Sequence, residues 1–154
     1  MKPGTFSQIY IQLVFSPLHR EALLMDKIRP RVFEYMGGII RTLQHKSIII
    51  NGMKDHVHLL IGLNPKVSIS DTVKEVKRVS SIYINELNVF TGRFRWQEGY
   101  GAFSYSRSHL DKIYNYIKNQ EQHHQRQTFK NEYLSLLKKF EVEFDERFLF
   151  QYFE

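Results

Sequence analysis

Residues 47–63 read SIIINGMKDHVHLLIGL, two apolar runs separated by Lys54 and Asp55. Each run has the length of a strand and is rich in β-branched residues, and a two-residue connection between such runs is typical of a β-hairpin. We therefore predict antiparallel strands at 47–53 and 56–63, with Pro65 ending the second strand.

The segments on either side of this hairpin predict the rest of the sheet. A strand is predicted at 9–16, followed by a helix within 26–44 that begins near Pro30, because proline is tolerated only in the first turn. A second helix, capped by Ser68 or Ser70, follows the hairpin, and a strand is predicted at 100–106. The order β-α-β-β-α-β indicates an α+β, ferredoxin-like (split βαβ) antiparallel sheet with helices on one face.

The remainder of the chain is predicted to add C-terminal helices to this core. One helix is expected at 109–127, capped by Ser108, and a shorter one around 132–139. In the tail, residues 140–154, aromatic and acidic residues alternate, and this pattern predicts neither a helix nor a strand. The length of 154 residues suits one domain, 1–154, with its core at about 8–130.

Composition narrows the class of partner. The net charge of +6 and the pI of about 9.5 favour a polyanion, with nucleic acid ahead of a membrane surface. The absence of cysteine excludes disulfides and zinc–thiolate sites and fits a reducing cytoplasm. No apolar run has membrane-spanning length, and the first residues lack the apolar segment of a signal peptide, so we expect a cytoplasmic protein without membrane contact.

Two histidines lie two residues apart on the second strand of the hairpin. His56, His58 and Leu60 share one face of that strand, and imidazoles about 6–7 Å apart along a strand can converge on one metal ion. The alternative is a pair of polar residues on a half-exposed face. A histidine-triad nucleotide hydrolase is disfavoured because Leu60 stands where its third histidine would be.

A phenol and an amide are predicted one helical turn apart. In the helix at 109–127, Tyr116 and Gln120 lie one above the other at the edge of the apolar stripe, and His123 continues the line. Gln120 could complete a metal site begun by the two imidazoles. The alternative is that Tyr116 is an aromatic residue at the core boundary and that Gln120 is merely solvated.

Together these motifs resemble the single-tyrosine HUH transposases of the IS-two-hundred (TnpA-like) class. His56-Val57-His58 is similar to the family's H-hydrophobic-H strand, and the segment 116–120 (YIKNQ) to its Y-x-x-x-Q helix. The segments 96–104 (WQEGYGAFS) and 120–124 (QEQHH) also resemble family stretches, and the likeness extends over about 9–129. The loop at 16–20 carries fewer basic residues than the family's, leaving Arg20 as its one DNA-contact candidate.

The resemblance implies a DNA transposase that cleaves and rejoins single-stranded DNA at hairpin-bearing element ends. Tyr116 would be the nucleophile, giving a 5′-phosphotyrosine and a free 3′-hydroxyl, with Tyr114 the next candidate on that helix. His56, His58 and Gln120 would hold a divalent ion, Mg²⁺ or Mn²⁺, that stabilises charge on the phosphate. The family acts as a homodimer.

Basic and aromatic residues supply candidates for DNA contact, since cations hold phosphates and rings stack on unpaired bases. Trp96 could equally be a core anchor, and His123 and His124 could be outer-shell or phosphate contacts. The residues assigned to DNA binding are Arg20, Lys74, Lys77, Arg78, Arg93, Arg95, Trp96 and His123.

Two other functions stay open at this point. One is a domesticated relative that acts on dispersed repeat hairpins rather than on its own element. The other is a non-catalytic ferredoxin-like module that only binds RNA or DNA.

Overall fold

A computed structural model describes residues 4–18 and 23–150 of the chain, and its centre is a four-stranded antiparallel sheet. The strands are β1 (Tyr10–Phe15), β2 (Lys46–Met53), β3 (His56–Gly62) and β4 (Gly101–Tyr105). Their order across the sheet is β2-β3-β1-β4, so β3 lies between β2 and β1. This is the split βαβ arrangement, and the predicted ferredoxin-like fold is confirmed.

Two long helices cover one face of the sheet. Helix α1 (Arg29–Thr42) has Pro30 in its first turn, as predicted, and α2 (Ile69–Glu86) is capped by Ser68, whose Oγ accepts a hydrogen bond from the Asp71 N–H at 3.0 Å. Their apolar residues share one core with the side chains that β3 directs to that face: Val57, Leu59 and Ile61. Among the described helices, none combines the length and the apolar character needed to cross a membrane.

The C-terminal helices cover the opposite face. They are α3 (Leu110–Lys118), α4 (Gln120–His124) and α5 (Phe129–Lys139). Leu60 of β3 packs there against Ile113 and Ile117 of α3. Because side chains alternate along a strand, the face that receives Leu60 is also the face of His56 and His58.

The hairpin between β2 and β3 forms as predicted, with Met53 paired to His56 across the Lys54-Asp55 turn. Gly52 pairs with Val57, between the two histidines. A Cβ atom on Gly52 would lie 2.3 Å from the carbonyl oxygen of His56, so a side chain here would push β2 away from β3. A glycine at 52 therefore permits the close strand approach beside the histidines.

The predicted helix at 109–127 is wrong in its continuity and in its cap. A 3₁₀ turn at Arg107–His109 precedes α3, Ser108 is not its cap, and Asn119 separates α3 from α4. The side-chain amide of Asn51, on β2, donates hydrogen bonds to the carbonyl oxygens of Ile117 and Lys118 at 2.9 and 3.1 Å. These bonds satisfy the last carbonyls of α3 and hold its end against the sheet.

The tail, to which the sequence pattern assigned no element, returns to the C-terminal layer. After α5, a 3₁₀ turn at Glu146–Phe148 leads to Phe150, which is buried. The ring of Phe150 stacks on Tyr133 and Phe129, with centroid distances of 4.8 and 6.0 Å. The tail thus helps to hold α5 in place.

Candidate active site

His56 and His58 lie side by side under the C-terminal helices. Both side chains are fully buried, and their ring centroids are 5.1 Å apart. The alternative of a half-exposed polar strand face is therefore wrong. Fully buried imidazoles require hydrogen-bond partners or a ligand, and the partners come from four different elements.

His56 is held between a turn residue and α4. Its Nδ1 lies 2.8 Å from Oδ1 of Asp55, its Nε2 lies 2.7 Å from Oε1 of Gln120, and the ring of Phe129 stacks on it at 4.2 Å. Burial acts to raise the pKa of Asp55, but the hydrogen bond and the charge of His56 hold that pKa below its usual value. When Nδ1–H donates to this carboxylate, the Nε2 lone pair and the Gln120 oxygen face each other as two acceptors, an arrangement that a cation would stabilise.

His58 is held by a hydrogen-bonded chain on the other side. Its Nδ1 lies 2.8 Å from Nε2 of Gln12, and the hydroxyl of Tyr105 donates to Oε1 of Gln12 at 2.6 Å. Burial lowers the pKa of His58 and raises that of Tyr105 to about 12. Burial therefore favours the neutral imidazole of His58, the form that binds a metal, although the charge of Glu132 opposes this effect, and Tyr105 remains a donor.

Glu132 lies at the centre of the cluster, although it is not among the site residues predicted from the sequence. Its Oε1 lies 2.9 Å from Nε2 of His58, 3.4 Å from Nε2 of His56 and 3.2 Å from Nε2 of His124, while its Oε2 accepts from the side-chain amide of Gln120 at 2.9 Å. Burial acts to raise the pKa of Glu132, but His58 and the other imidazoles hold it well below the usual carboxyl range. Glu132 is therefore a buried carboxylate.

A sequence signal for Glu132 exists in the pattern of α5. The buried side chains of that helix are Phe129, Glu132, Tyr133 and Leu137, so the glutamate occupies a position on the apolar stripe. A charged residue on a buried helix face is rare unless it is paired or binds a ligand. The pattern does not show which residues pair with Glu132, because only the fold brings α5 over β3.

Tyr116 reaches the same carboxylate from α3. Its hydroxyl donates a hydrogen bond to Oε2 of Glu132, its ring is half-buried, and the ring of His123 stacks on it at 4.4 Å. Burial raises the pKa of Tyr116 above its ordinary value, and the negative charge of Glu132 raises it further. Tyr114, the other candidate on this helix, is 37% exposed and forms no described contact with the cluster.

The cluster has the composition of a divalent-metal site. One ligand atom each from His56, His58 and Glu132 lies within 4.8 Å of the others, and all three side chains are buried. With Oε1 of Gln120, the set offers two imidazole nitrogens and two kinds of oxygen, a mixture suited to Mn²⁺ and, with added waters, to Mg²⁺. The chain therefore carries a group that could bind a metal ion, and Glu132 enlarges the ligand set predicted from sequence.

Four of the residues assigned to DNA contact form one basic rim. Lys74, Arg78, Arg93 and Arg95 are exposed and line an open groove of about 700 Å³ between α2 and the loop before β4; we call this the basic groove. Arg78 also pairs with Glu75 at 2.7 Å. Arg20 lies outside the described residues, and His123 lies apart from this groove, against Tyr116.

The other two residues assigned to DNA contact have structural roles. Trp96 is buried, its Nε1–H donates to Oγ of Ser80 at 2.9 Å, and its ring packs edge-on against Phe15 and Phe94. The ring of Trp96 is therefore a core anchor, the alternative that the sequence left open, and its contact with DNA at the edge of the basic groove stays a prediction. Lys77 donates to the carbonyl oxygens of Gln97 and Gly99 at 2.7 and 2.6 Å, so its ammonium holds the loop.

Fold and site together define a class of protein. Its members combine a split βαβ sheet, with paired histidines on a central strand, and a C-terminal helix that brings a tyrosine to these histidines. A sequence profile described as Transposase IS200 like matches residues 5–120. The chain belongs to this family. A search of curated protein sequences gives no significant match.

Solved structures share the fold. A crystal structure of a candidate transposase from Deinococcus radiodurans R1 aligns with a TM-score of 0.61 at 23% identity, covering 78% of this chain and 96% of that one. The structure of a REP-associated tyrosine transposase bound to a REP hairpin aligns with a TM-score of 0.59 at 12% identity, covering 80% of this chain and 74% of that one.

Proposed function

We propose that this chain cleaves and rejoins single-stranded DNA at hairpin-bearing element ends, with Tyr116 as the nucleophile. The observation that carries the proposal is the convergence of Tyr116, His56, His58 and Gln120 on one buried carboxylate, Glu132. A phenol next to a divalent-metal site is suited to attack on a phosphodiester. Family membership supports the same reaction.

The proposed reaction is a pair of transesterifications. Oη of Tyr116 forms a bond to the phosphorus, the bond from phosphorus to the 3′-oxygen breaks, the phenol loses a proton and the departing oxygen gains one. The products are a 5′-phosphotyrosine and a free 3′-hydroxyl. Because one phosphodiester replaces another, a second 3′-hydroxyl can reverse the attack and join strands without ATP.

Each residue of the cluster has a part in this proposal. His56, His58, Gln120 and Glu132 would hold Mg²⁺ or Mn²⁺, which when bound supplies charge stabilisation at the phosphate oxygens. Asp55 and Gln12 orient the two imidazoles, and Glu132 orients the hydroxyl of Tyr116.

Hairpin DNA is the proposed partner, bound in part by the basic groove. The likeness to a transposase solved with a REP hairpin supports this partner, as do the four exposed cations of the groove. Since each phosphate contact releases counterions, Arg93→Ala and Arg95→Ala should weaken hairpin binding and flatten its salt dependence. The homodimer that the resemblance implies stays a prediction, which light scattering of the purified protein would test.

A pool of oligonucleotides tests the proposed function without a known target. Each member is a DNA hairpin with randomised single-stranded flanks, incubated with the protein and Mn²⁺. We expect a denaturant-resistant protein–DNA adduct that EDTA abolishes. Binding without an adduct under any divalent ion would contradict the enzyme and leave a nucleic-acid-binding module.

The REP-associated structural neighbour gives specific support to a second candidate, a domesticated relative that acts on dispersed hairpins. The chemistry would be the same, and only the location of the target would differ. Sequencing the DNA that flanks the gene distinguishes the two. Hairpin-forming ends beside the gene would indicate a mobile element, and hairpins scattered elsewhere in the genome would indicate the domesticated relative.

A further inference from the structure

A cavity of about 370 Å³ lies beside the ring of Tyr116. It is separate from the basic groove, and the proposed metal ligands give it no role. We call it the Tyr116 cavity. It lies between α3, α5 and the end of β4, and its walls include Tyr116 itself, Tyr105 and His123. A ligand in this cavity would therefore contact the proposed nucleophile.

The walls of the cavity suit a flat, aromatic ligand. Ile113 and Leu136 supply apolar surface, and the rings of Tyr105, Tyr116 and His123 supply aromatic surface. The rings of Tyr116 and His123 stack on each other, with 4.4 Å between their centroids and 24° between their planes, so this pair offers its outer faces to a base. Aromatic side chains of this kind bind nucleic-acid bases by stacking.

The polar residues of the cavity suit the rest of a nucleotide. Asn115 and Asn119 line it from α3 and its end, and in the described part of the chain their side-chain amides form no hydrogen bond. Amide groups can donate to and accept from the edge of a base. Lys112 and Lys139 are exposed at the same cavity and offer two positive charges to phosphates.

From this geometry we infer that the Tyr116 cavity binds one unpaired nucleotide next to the cleaved phosphate, with its base stacked against the aromatic walls and the flanking phosphates near Lys112 and Lys139. This inference rests on the proposed function and adds a base-binding subsite to it. A single-stranded DNA nucleotide matches the aromatic walls, the amides of Asn115 and Asn119, the two cations and the adjacent nucleophile.

The test combines an abasic position in the DNA with a filled cavity in the protein. The oligonucleotide is the tightest-binding member of the hairpin pool, and an abasic site is moved one position at a time along its single-stranded flanks. We expect one position to weaken binding and adduct formation by roughly 5- to 150-fold, the effect of losing one stacked base. With Leu136→Trp, which fills the cavity, the intact and the abasic oligonucleotide should behave alike.

A second variant guards against a folding defect in Leu136→Trp. Lys112→Ala changes only an exposed side chain of the cavity and should weaken binding, whereas Lys118→Ala, an exposed lysine of the same helix that does not line the cavity, should not. Two results would overturn the inference. One is that no abasic position weakens binding in the wild-type protein, or that Leu136→Trp leaves such an effect unchanged. The other is that Lys112→Ala and Lys118→Ala bind the oligonucleotide with equal affinity.

Measuring affinity in EDTA as well as adduct formation separates this inference from the proposed function. Adduct formation without a base-dependent position would overturn the cavity and leave the transposase reaction intact. In another outcome, one abasic position weakens binding, Leu136→Trp removes that effect, and no adduct forms. This outcome would support nucleotide binding in the cavity and overturn the proposed reaction.

Discussion

The hydroxyl of Tyr116 donates a hydrogen bond to one carboxylate oxygen of Glu132, and the other oxygen lies 2.9 Å from Nε2 of His58. The proposed nucleophile and a proposed metal ligand are thus joined through one side chain. All three residues belong to the same chain, so a single protomer contains every member of the candidate site.

This arrangement predicts that the nucleophile acts with the histidines of its own chain. We expect Tyr116→Phe and His58→Ala to be inactive separately and to stay inactive when the two variants are mixed. The measurement is adduct formation with a hairpin oligonucleotide. Recovery of activity in the mixture would mean that a tyrosine from one copy serves the histidines of another.

Glu132→Gln should weaken metal binding. The substitution keeps the shape of the side chain but removes the negative charge, and we expect the affinity for Mn²⁺ to fall by about tenfold or more in calorimetric titrations. Glu121→Gln is the matched control, because Glu121 is an exposed glutamate on α4 outside the cluster. Equal affinities for the two variants would remove Glu132 from the ligand set.

Gln12→Leu should weaken metal binding indirectly. The substitution leaves Nδ1 of His58 and the hydroxyl of Tyr105 without their shared partner. Loss of such an orienting residue typically costs about 10- to 100-fold in metal affinity. Gln12→Glu keeps the oxygen that accepts from Tyr105 and places a second oxygen beside Nδ1, which can accept Nδ1–H in the other tautomer of His58, so this variant should lose less. A wild-type affinity in Gln12→Leu would show that His58 needs no orienting partner.

Burial of Lys77 predicts a pH dependence of stability. Burial lowers the pKa of this ammonium from 10.5 to about 8, although Glu98 opposes the shift. Above pH 8 the folded protein releases this proton while the unfolded chain keeps it, so the free energy of unfolding should rise with pH. Denaturant titrations between pH 8 and about 9 keep tyrosine ionisation small.

Two variants check the assignment of this pH dependence to one residue. Lys77→Met should lack the rise in the free energy of unfolding, and Lys74→Met, an exposed lysine on the same helix, should retain it. A rise of equal size in Lys77→Met would assign the effect to another group.

The structural features that depend on local sequence patterns could be predicted from the sequence. The hairpin, its two-residue turn and the strand histidines follow from periodicity and turn length, and the Ser68 cap follows from residue preference. The sequence also indicated the face that His56 shares with Leu60, since alternation is strict within a strand. Those features did not depend on knowing which elements pack together.

The errors arose where distant residues meet. At the break, Asn51 of β2 bonds to the end of α3, and the role of Glu132 depends on α5 lying over β3. The sequence left open whether Trp96, in a loop rich in arginine, is a core anchor, and only its packing against Phe15 and Phe94 shows that it is. Each of these contacts joins positions far apart in the chain, which periodicity does not describe.

The central claim is that Tyr116 becomes covalently attached to DNA, and mass spectrometry of the tryptic peptides from the adduct tests it most directly. We expect the nucleotide on Tyr116 in the wild-type protein and in Tyr114→Phe, and no adduct from Tyr116→Phe, which should still bind the hairpin. An adduct from Tyr116→Phe, or a nucleotide mapped to another residue, would contradict the account.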